Sequence, residues 1–362
     1  MKGVVTRESN QYAVEELSID PPKAGELGIR MAATGVCHSD LSVINDTLPL
    51  PRPCVLGHEG AGVVEQVGEG VTGYAVGDHV VLSFTPSCST CHFCLHHLPQ
   101  FCANSLCFGP MMDGTARVRD KGGKDLGVMQ FLGCMAERAV VPAVSAEKID
   151  KSIPLDKAAL VGCGVMTWVG AVINTAHVTP GSSVAVFGCG GVGLSVIQGA
   201  RLAGAGTIIG VDLADNKLEM AKKFGATSVV NGGKQDPVGA VKDLTGGIGA
   251  DFTFEVVGIP ALMLTAYNAA RRGGTVVIVG VGRMTDSVPF NALMLSMDGK
   301  TIKGSYYGDA HVHADFPKLL ALYQGGRLNL DDMVTRTYRI DQAPQAIADM
   351  EKGLNARGVI VY

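Results

Sequence analysis

Four cysteines, Cys88, Cys91, Cys94 and Cys102, follow one another at the spacing of metal ligands, two short steps and then one of eight residues. Two-residue spacers let successive thiolates converge on one tetrahedral ion. Four thiolates close its coordination shell, so the expected ion is a structural zinc. A zinc ribbon that grips nucleic acid has similar spacing, but a net charge of −4 and the absence of basic flanks argue against it. His92, His96 and His97, inside the same stretch, are expected to be solvated loop residues. A second set is dispersed: Cys37 in Gly35-Val-Cys-His-Ser-Asp40, His58 in Gly57-His-Glu59, and Cys163 between Gly162 and Gly164. Each of these is by itself equally a buried thiol or a satisfied core histidine, and spacing does not bring them together.

The third constellation is Val184-Ala-Val-Phe-Gly-Cys-Gly-Gly-Val-Gly193, followed about twenty residues later by Asp212. It reads as strand, glycine turn and helix, then a second strand from Thr207 to Val211 ending on a carboxylate. Gly188 permits the tight turn, and Gly190 lets backbone approach a pyrophosphate. Gly191 and Val192 are counted with these glycines as coenzyme-binding residues, and Gly193 lets the helix pack close on the sheet. Asp212 is placed for the ribose hydroxyls, which favours NAD over NADP because a 2′-phosphate would meet like charge.

The elements that must position these residues fall into two styles. From Gly3 to about Pro154 short β-like runs alternate with Gly and Pro: 28–33, 60–67, 78–83 and 137–141, an irregular β-rich domain. Near Pro154 the style changes, with Asp156 expected to cap a helix through Leu160. From Gly181 strands alternate with helices: strands at 207–211, 228–230, 251–256 and 275–279, helices at 218–224, 238–244 and 261–270. Apolar strands in βα alternation imply a parallel sheet covered on both faces. Beyond about Gly308 the alternation fades into helices near 316–323 and 343–352 and a strand at 358–361.

A chain of 362 residues, 47% of them apolar, is too long for one ordinary core and implies two domains. No secretory signal is visible, and ten cysteines without one point towards metal rather than disulfides. A cytoplasmic enzyme is expected, with Cys54, Cys107, Cys134 and Cys189 as buried or partly buried thiols. The apolar run from Val184 to Val211 is long enough to span a membrane, but Gln198, Arg201 and its glycines suit strand–turn–helix–strand instead.

Together, Cys37-His-Ser-Asp40, Gly57-His-Glu59, the Cys88–Cys102 lobe, Gly162-Cys-Gly164, Gly188 to Gly193 with Asp212, and Arg357 resemble the zinc-dependent medium-chain alcohol dehydrogenases along essentially the whole chain. The resemblance implies an α/β fold: a GroES-like β-rich catalytic domain, residues 1–164 and 308–362, plus a Rossmann doubly wound parallel sheet, residues 165–307. It implies two zinc ions per chain. Cys37, His58 and Cys163 would hold the catalytic one, with Glu59 as an outer carboxylate and Asp40 fixing His58. An alcohol activated at that zinc would pass hydride to NAD⁺, with Ser39 taking the alcohol proton. In the best-known dimeric relatives a histidine three residues further carries that proton to solvent; here the position is Ser42, which leaves water as the exit.

His38 and Arg357 match coenzyme phosphate contacts, Lys217 a ribose contact, and Val281 a coenzyme neighbour. Leu48, Phe84, Leu106 and Phe131, with Val281, Gly282 and Cys107, match an apolar substrate pocket suited to aromatic, terpenoid or medium-chain primary alcohols. The stretch from Met112 to Gly133 resembles an insertion of the dimeric classes. It implies a homodimer joined through sheet edges at 275–281 and 301–306, with no nucleic-acid or membrane partner. Two close alternatives stay open: a thiol-dependent formaldehyde dehydrogenase, in which an arginine stands where this chain has Leu106, and a nicotinoprotein that retains its NAD. A non-catalytic NAD-binding zinc protein is the alternative of a different class.

Overall fold

The computed structural model describes residues 1–105 and 109–362. The chain forms two compact units, residues 1–164 with 311–362, and residues 165–310.

In the first unit the sheets are mostly antiparallel. Lys2–Glu8, Gln11–Ile19, Val118–Asp120, Asp125–Val128 and Cys54–Val55 close a small barrel around Val5, Leu17, Val55, Val118, Leu126 and Val128. A second sheet runs from Ala146–Ile149 through His79–Leu82, Gly60–Val67, Glu26–Gly35 and Arg357–Val361 to Val334–Arg339, and Arg138–Pro142 also pairs with Glu26–Gly35. Glu26–Gly35 is the hub. Thr34 stands opposite Gly60 and Gly35 opposite Val359, so the ends of three strands lie side by side. Cys37 follows the first of these ends, His58 and Glu59 precede the second, and Arg357 opens the third.

The second unit is a six-stranded parallel sheet. Its order is Ser228–Asn231, Thr207–Asp212, Ser183–Phe187, Ala250–Glu255, Ala270–Ile278 and Thr301–Gly304. In chain order that is 3-2-1-4-5-6, so the winding reverses beside Ser183–Phe187, the usual place for a dinucleotide in such sheets. Ala185, Phe187, Ile209, Val211 and Val276 bury one face with Val241, Ala266 and Tyr267 of the covering helices. Each such side chain, fully buried, contributes on the order of 1.5–3 kcal/mol relative to exposure.

Some expectations need correction. Asp156 does not cap its helix: Pro154 holds the N-cap position and Asp156 lies inside the first turn of Leu155–Leu160, where its charge still suits the positive end of the helix. The strand part of 275–281, expected at a free sheet edge, is interior to the sheet. Thr275 to Ile278 is hydrogen-bonded both to Phe252–Glu255 and to Thr301–Gly304, and Thr301–Gly304 is the edge strand. The fading alternation after Gly308 conceals Val334–Arg339, whose half-exposed side chains show no clean period. Val184 to Val211 folds as strand, turn, helix and strand. A different stretch, Leu155–Thr175, has the length and apolarity of a membrane span, and 83% of its most apolar window is buried inside the fold, as in a core helix.

Candidate active site

In the first unit the ligand atoms of Cys37, His58 and Cys163 lie within 4.8 Å of one another, and all three residues are buried. Cys37 caps the helix His38–Ile44, and its amide donates to Asp40 Oδ2 at 3.0 Å. The other oxygen, Asp40 Oδ1, meets His58 Nδ1 at 3.2 Å. One buried carboxylate therefore orients the backbone of one candidate ligand and the ring of another, and turns His58 Nε2 inward. That nitrogen is buried and has no hydrogen-bond partner among the described residues. Phe84 stands edge-on to the imidazole at 5.6 Å between ring centres.

Cys163 sits in a widened, π-type turn, Val161–Val165, a device that recurs at functional sites. Gly162 is required there: a β-carbon would stand 2.5 Å from the Leu82 carbonyl oxygen. The Gly164 amide donates to Glu59 Oε1 at 2.9 Å, while Arg357 Nη2 pairs with Glu59 Oε2. Arg357 is thus only 5% exposed and is engaged by Glu59. Burial pushes the Glu59 carboxyl up to about 7, against the pull of Arg357. Contact with Cys163, and then with His58, holds the Cys37 thiol well below its usual range, while Cys163 is driven up.

This donor set fits a zinc ion. Two sulfurs and a buried imidazole nitrogen are gathered at one point, and two thiolates would cancel a dication as Glu59 cancels Arg357. Ser39, half-buried, lies with its hydroxyl 3.7 Å from Cys37 Sγ, and Ser42 is half-buried one turn further on.

The Cys lobe is built differently. The sulfurs of Cys88, Cys91, Cys94 and Cys102 also lie within 4.8 Å of one another, but only Cys102 is buried. Local backbone supplies the donors: the Cys91 amide reaches Cys88 Sγ at 3.3 Å and the Cys88 amide reaches Cys102 Sγ at 3.4 Å. Hydrogen bonds, first from the Thr90 hydroxyl, pull Cys88 down to about 6. Four gathered sulfurs, two of them accepting backbone amides, fit a closed tetrahedral zinc. His92, His96 and His97 are exposed.

In the second unit Gly188 has φ +105°, the left-handed region that favours glycine. A β-carbon on Gly193 would collide with the Gly188 carbonyl, whereas one on Gly190 would meet open space. Gly190 caps the helix Gly191–Leu202, which contains Val192. Asp212 is held at its strand end by the amides of Cys189, Leu213 and Ala214, at 2.8, 2.8 and 3.0 Å.

Comparison with known proteins identifies the family. Residues 23–151 match the alcohol dehydrogenase GroES-like domain and residues 191–325 the zinc-binding dehydrogenase domain. Alcohol dehydrogenase B of Mycobacterium tuberculosis is 40% identical over 369 residues, covering 100% of this chain and 98% of the relative. The chain belongs to the zinc-dependent medium-chain alcohol dehydrogenases. The NDMA-dependent alcohol dehydrogenase of Amycolatopsis methanolica is 39% identical across 97% of this chain and 95% of its own. The crystal structure of benzyl alcohol dehydrogenase from Acinetobacter calcoaceticus superposes with a TM-score of 0.92 at 34% identity, over 99% of this chain and 98% of that one.

Against the family pattern the remaining expected residues fall as follows. Phe84 lies beside His58, while Phe131 is wholly enclosed and Leu48 packs half-buried on the hydrophobic cluster around Val43, Ile44 and Leu50. His38 is exposed, Lys217 half-buried, and Val281 is 65% exposed. Leu106 and Cys107 lie outside the described residues. Cys54 and Cys189 are buried thiols pushed up to about 12 by burial, and Cys134 is raised likewise. Sequence reasoning missed Glu255, a buried carboxylate that closes the strand Ala250–Glu255. A carboxylate set directly between Phe254 and Val256-Val257 was the available signal.

Proposed function

We propose that this alcohol dehydrogenase oxidises primary alcohols, aromatic, terpenoid or medium-chain, reversibly to aldehydes, with NAD as the hydride acceptor and two zinc ions per chain. The observation that carries the reading is the convergence of Cys37, His58 and Cys163, with His58 Nε2 buried and without a hydrogen-bond partner among the described residues. Three protein ligands leave a four-coordinate zinc one place, and when bound it supplies Lewis acidity towards an alcohol oxygen.

The chain's own residues do the rest. Asp40 orients His58, Glu59 and Arg357 balance each other's charge, and the Ser39 hydroxyl takes the proton that an alcohol must lose. With serine at position 42, water carries that proton onward. Asp212, pinned by three amides, meets ribose hydroxyls and repels a 2′-phosphate. Apolar Phe84 beside the histidine favours a hydrocarbon or aromatic substrate body, and a relative named for benzyl alcohol supports the same class. A homodimer through the edge strand Thr301–Gly304 is part of the reading, since Ile302 is 38% and Tyr306 42% exposed there.

A second reading, that the coenzyme is retained and recycled on the protein, is favoured by the NDMA-dependent relative. The deciding experiment is a steady-state screen of benzylic, terpenoid and linear alcohols with NAD⁺ and NADP⁺, plus formaldehyde with and without thiol. Zinc content and the nucleotide absorbance of the purified protein are read alongside. Turnover only with NADP⁺, or only of formaldehyde with thiol, would overturn the proposal. Nucleotide already on the purified protein would select the second reading.

A further inference from the structure

Glu255 is fully buried at the end of its strand, between Ser183–Phe187 and Ala270–Ile278. Its Oε1 accepts three backbone amides of the next turn, Val257 at 2.9 Å, Gly258 at 2.8 Å and Ile259 at 3.4 Å. Its Oε2 is buried and has no hydrogen-bond partner among the described residues. Burial raises this carboxyl against the lowering pull of the amides. A half-satisfied buried carboxyl is costly, and such local violations concentrate where function demands them.

The turn it holds is wedged between two parts of the coenzyme half of the protein. On one side, Val257 Cγ2 and Val256 Cγ2 stand 2.6 and 3.1 Å from where a β-carbon of Gly188 would be, so the turn packs directly on the first glycine of the fingerprint. On the other, Gly258 has no room for a β-carbon against the Val281 backbone, nor Gly280 against Gly258. Val257 and Ile259 are 47% and 50% exposed and form the outer wall. Strand register is set by the backbone ladder whatever the side chain at 255, so the carboxyl governs the turn and not the sheet.

We propose that Glu255 is a positioning residue for the dinucleotide: by gathering three amides on one oxygen it holds the 256–259 turn against Gly188 and Val281, and so fixes the backbone the coenzyme meets. This rests on the coenzyme reading given above. The tests use full-length, zinc-loaded enzyme with NAD⁺ and NADH as probes. Glu255→Leu raises KM for NAD⁺ and Kd for NADH about tenfold, the scale of a lost buried hydrogen-bond set, while kcat stays within about threefold. Zinc content per chain does not change. Glu255→Gln keeps an acceptor oxygen of the same reach and stays within about twofold of wild type.

NADH binding by Glu255→Leu at wild-type affinity overturns the proposal, as does a fall confined to kcat, or Glu255→Gln failing as badly as leucine. Should Glu255→Leu not fold, Val257→Ala decides, because it removes methyls packed on Gly188 and leaves the carboxyl in place. Weaker NADH binding by that variant supports the proposal, and unchanged binding overturns it. Wild-type protein that neither binds nor carries a nicotinamide dinucleotide removes the coenzyme reading and this proposal together. Normal wild-type binding with indifferent variants removes this proposal alone.

Discussion

The two cysteine sites of the first unit solve the same coordination problem in opposite ways. Cys88, Cys91, Cys94 and Cys102 come from one short stretch, are mostly half-exposed, and take their thiolate-stabilising hydrogen bonds from neighbouring residues. Cys37, His58 and Cys163 come from three separate elements, are all buried, and depend on Asp40, Glu59 and Arg357 for orientation and charge balance. A four-sulfur shell leaves a tetrahedral ion nothing to do but hold chain together. A three-ligand shell leaves room for chemistry, and so needs the rest of the fold to keep it from collapsing.

Zinc removal at each site should separate these roles most widely. Cys163→Ser is expected to lose one zinc and lower kcat/KM by about a thousandfold or more, because a Lewis acid supplies several kcal/mol of transition-state stabilisation. Cys91→Ser should also lose one zinc, but destabilise by roughly 4 kcal/mol or more, as expected for loss of a structural metal. Metal analysis with thermal melts reads both, and equal losses of activity and stability in the two variants would erase the distinction.

Proton transfer gives the next largest effect. Ser39→Ala should cut kcat about a hundredfold, in the range of positioned acid–base groups, and Ser42→Ala only a few-fold. An equal collapse would place the relay's exit at Ser42 after all.

The orienting role of Asp40 can be isolated by chelator competition. Asp40→Asn is expected to weaken zinc at the three-ligand site about 10- to 100-fold and leave the four-cysteine site alone. Loss of both ions would mean that Asp40 supports the domain, not the metal.

The smallest effect lies away from either site. His313 Nδ1 meets Glu147 at 2.6 Å, and this contact raises the imidazole above its ordinary 6.5. Its stabilisation is present below about pH 6.5 and is lost as pH rises through the raised value. At 54% side-chain exposure the pair is worth at most about 1 kcal/mol. Denaturation of His313→Gln should match wild type at pH 8 and fall slightly below it at pH 5.5.

Much of the coenzyme half was legible because its chemistry is local. Gly188, Gly190, Gly193 and Asp212 occupy one strand–turn–helix–strand unit: Gly188 takes a left-handed φ at the turn, and a β-carbon on Gly193 would strike the Gly188 carbonyl five residues back. The catalytic half was legible only through resemblance, since nothing in the spacing of Cys37, His58 and Cys163 makes them meet. Edges were harder still. Thr275 to Ile278 reads like any apolar strand, and which strand is outermost depends on a partner supplied by a later segment, Thr301–Gly304.

The sequence by itself determined the four-cysteine lobe, the glycine turn with its carboxylate, and the change from β-rich to alternating βα structure, because short-range spacing and side-chain period suffice for these. Only the tertiary structure decided that Thr34 lies beside Gly60 and Gly35 beside Val359, which brings Cys37, His58, Glu59 and Arg357 to one place. It also decided that Arg357 spends its charge on Glu59 and that Glu255 anchors a turn. Those outcomes depend on strand pairing between residues far apart in the chain, and on burial that makes an unmatched charge too costly to keep.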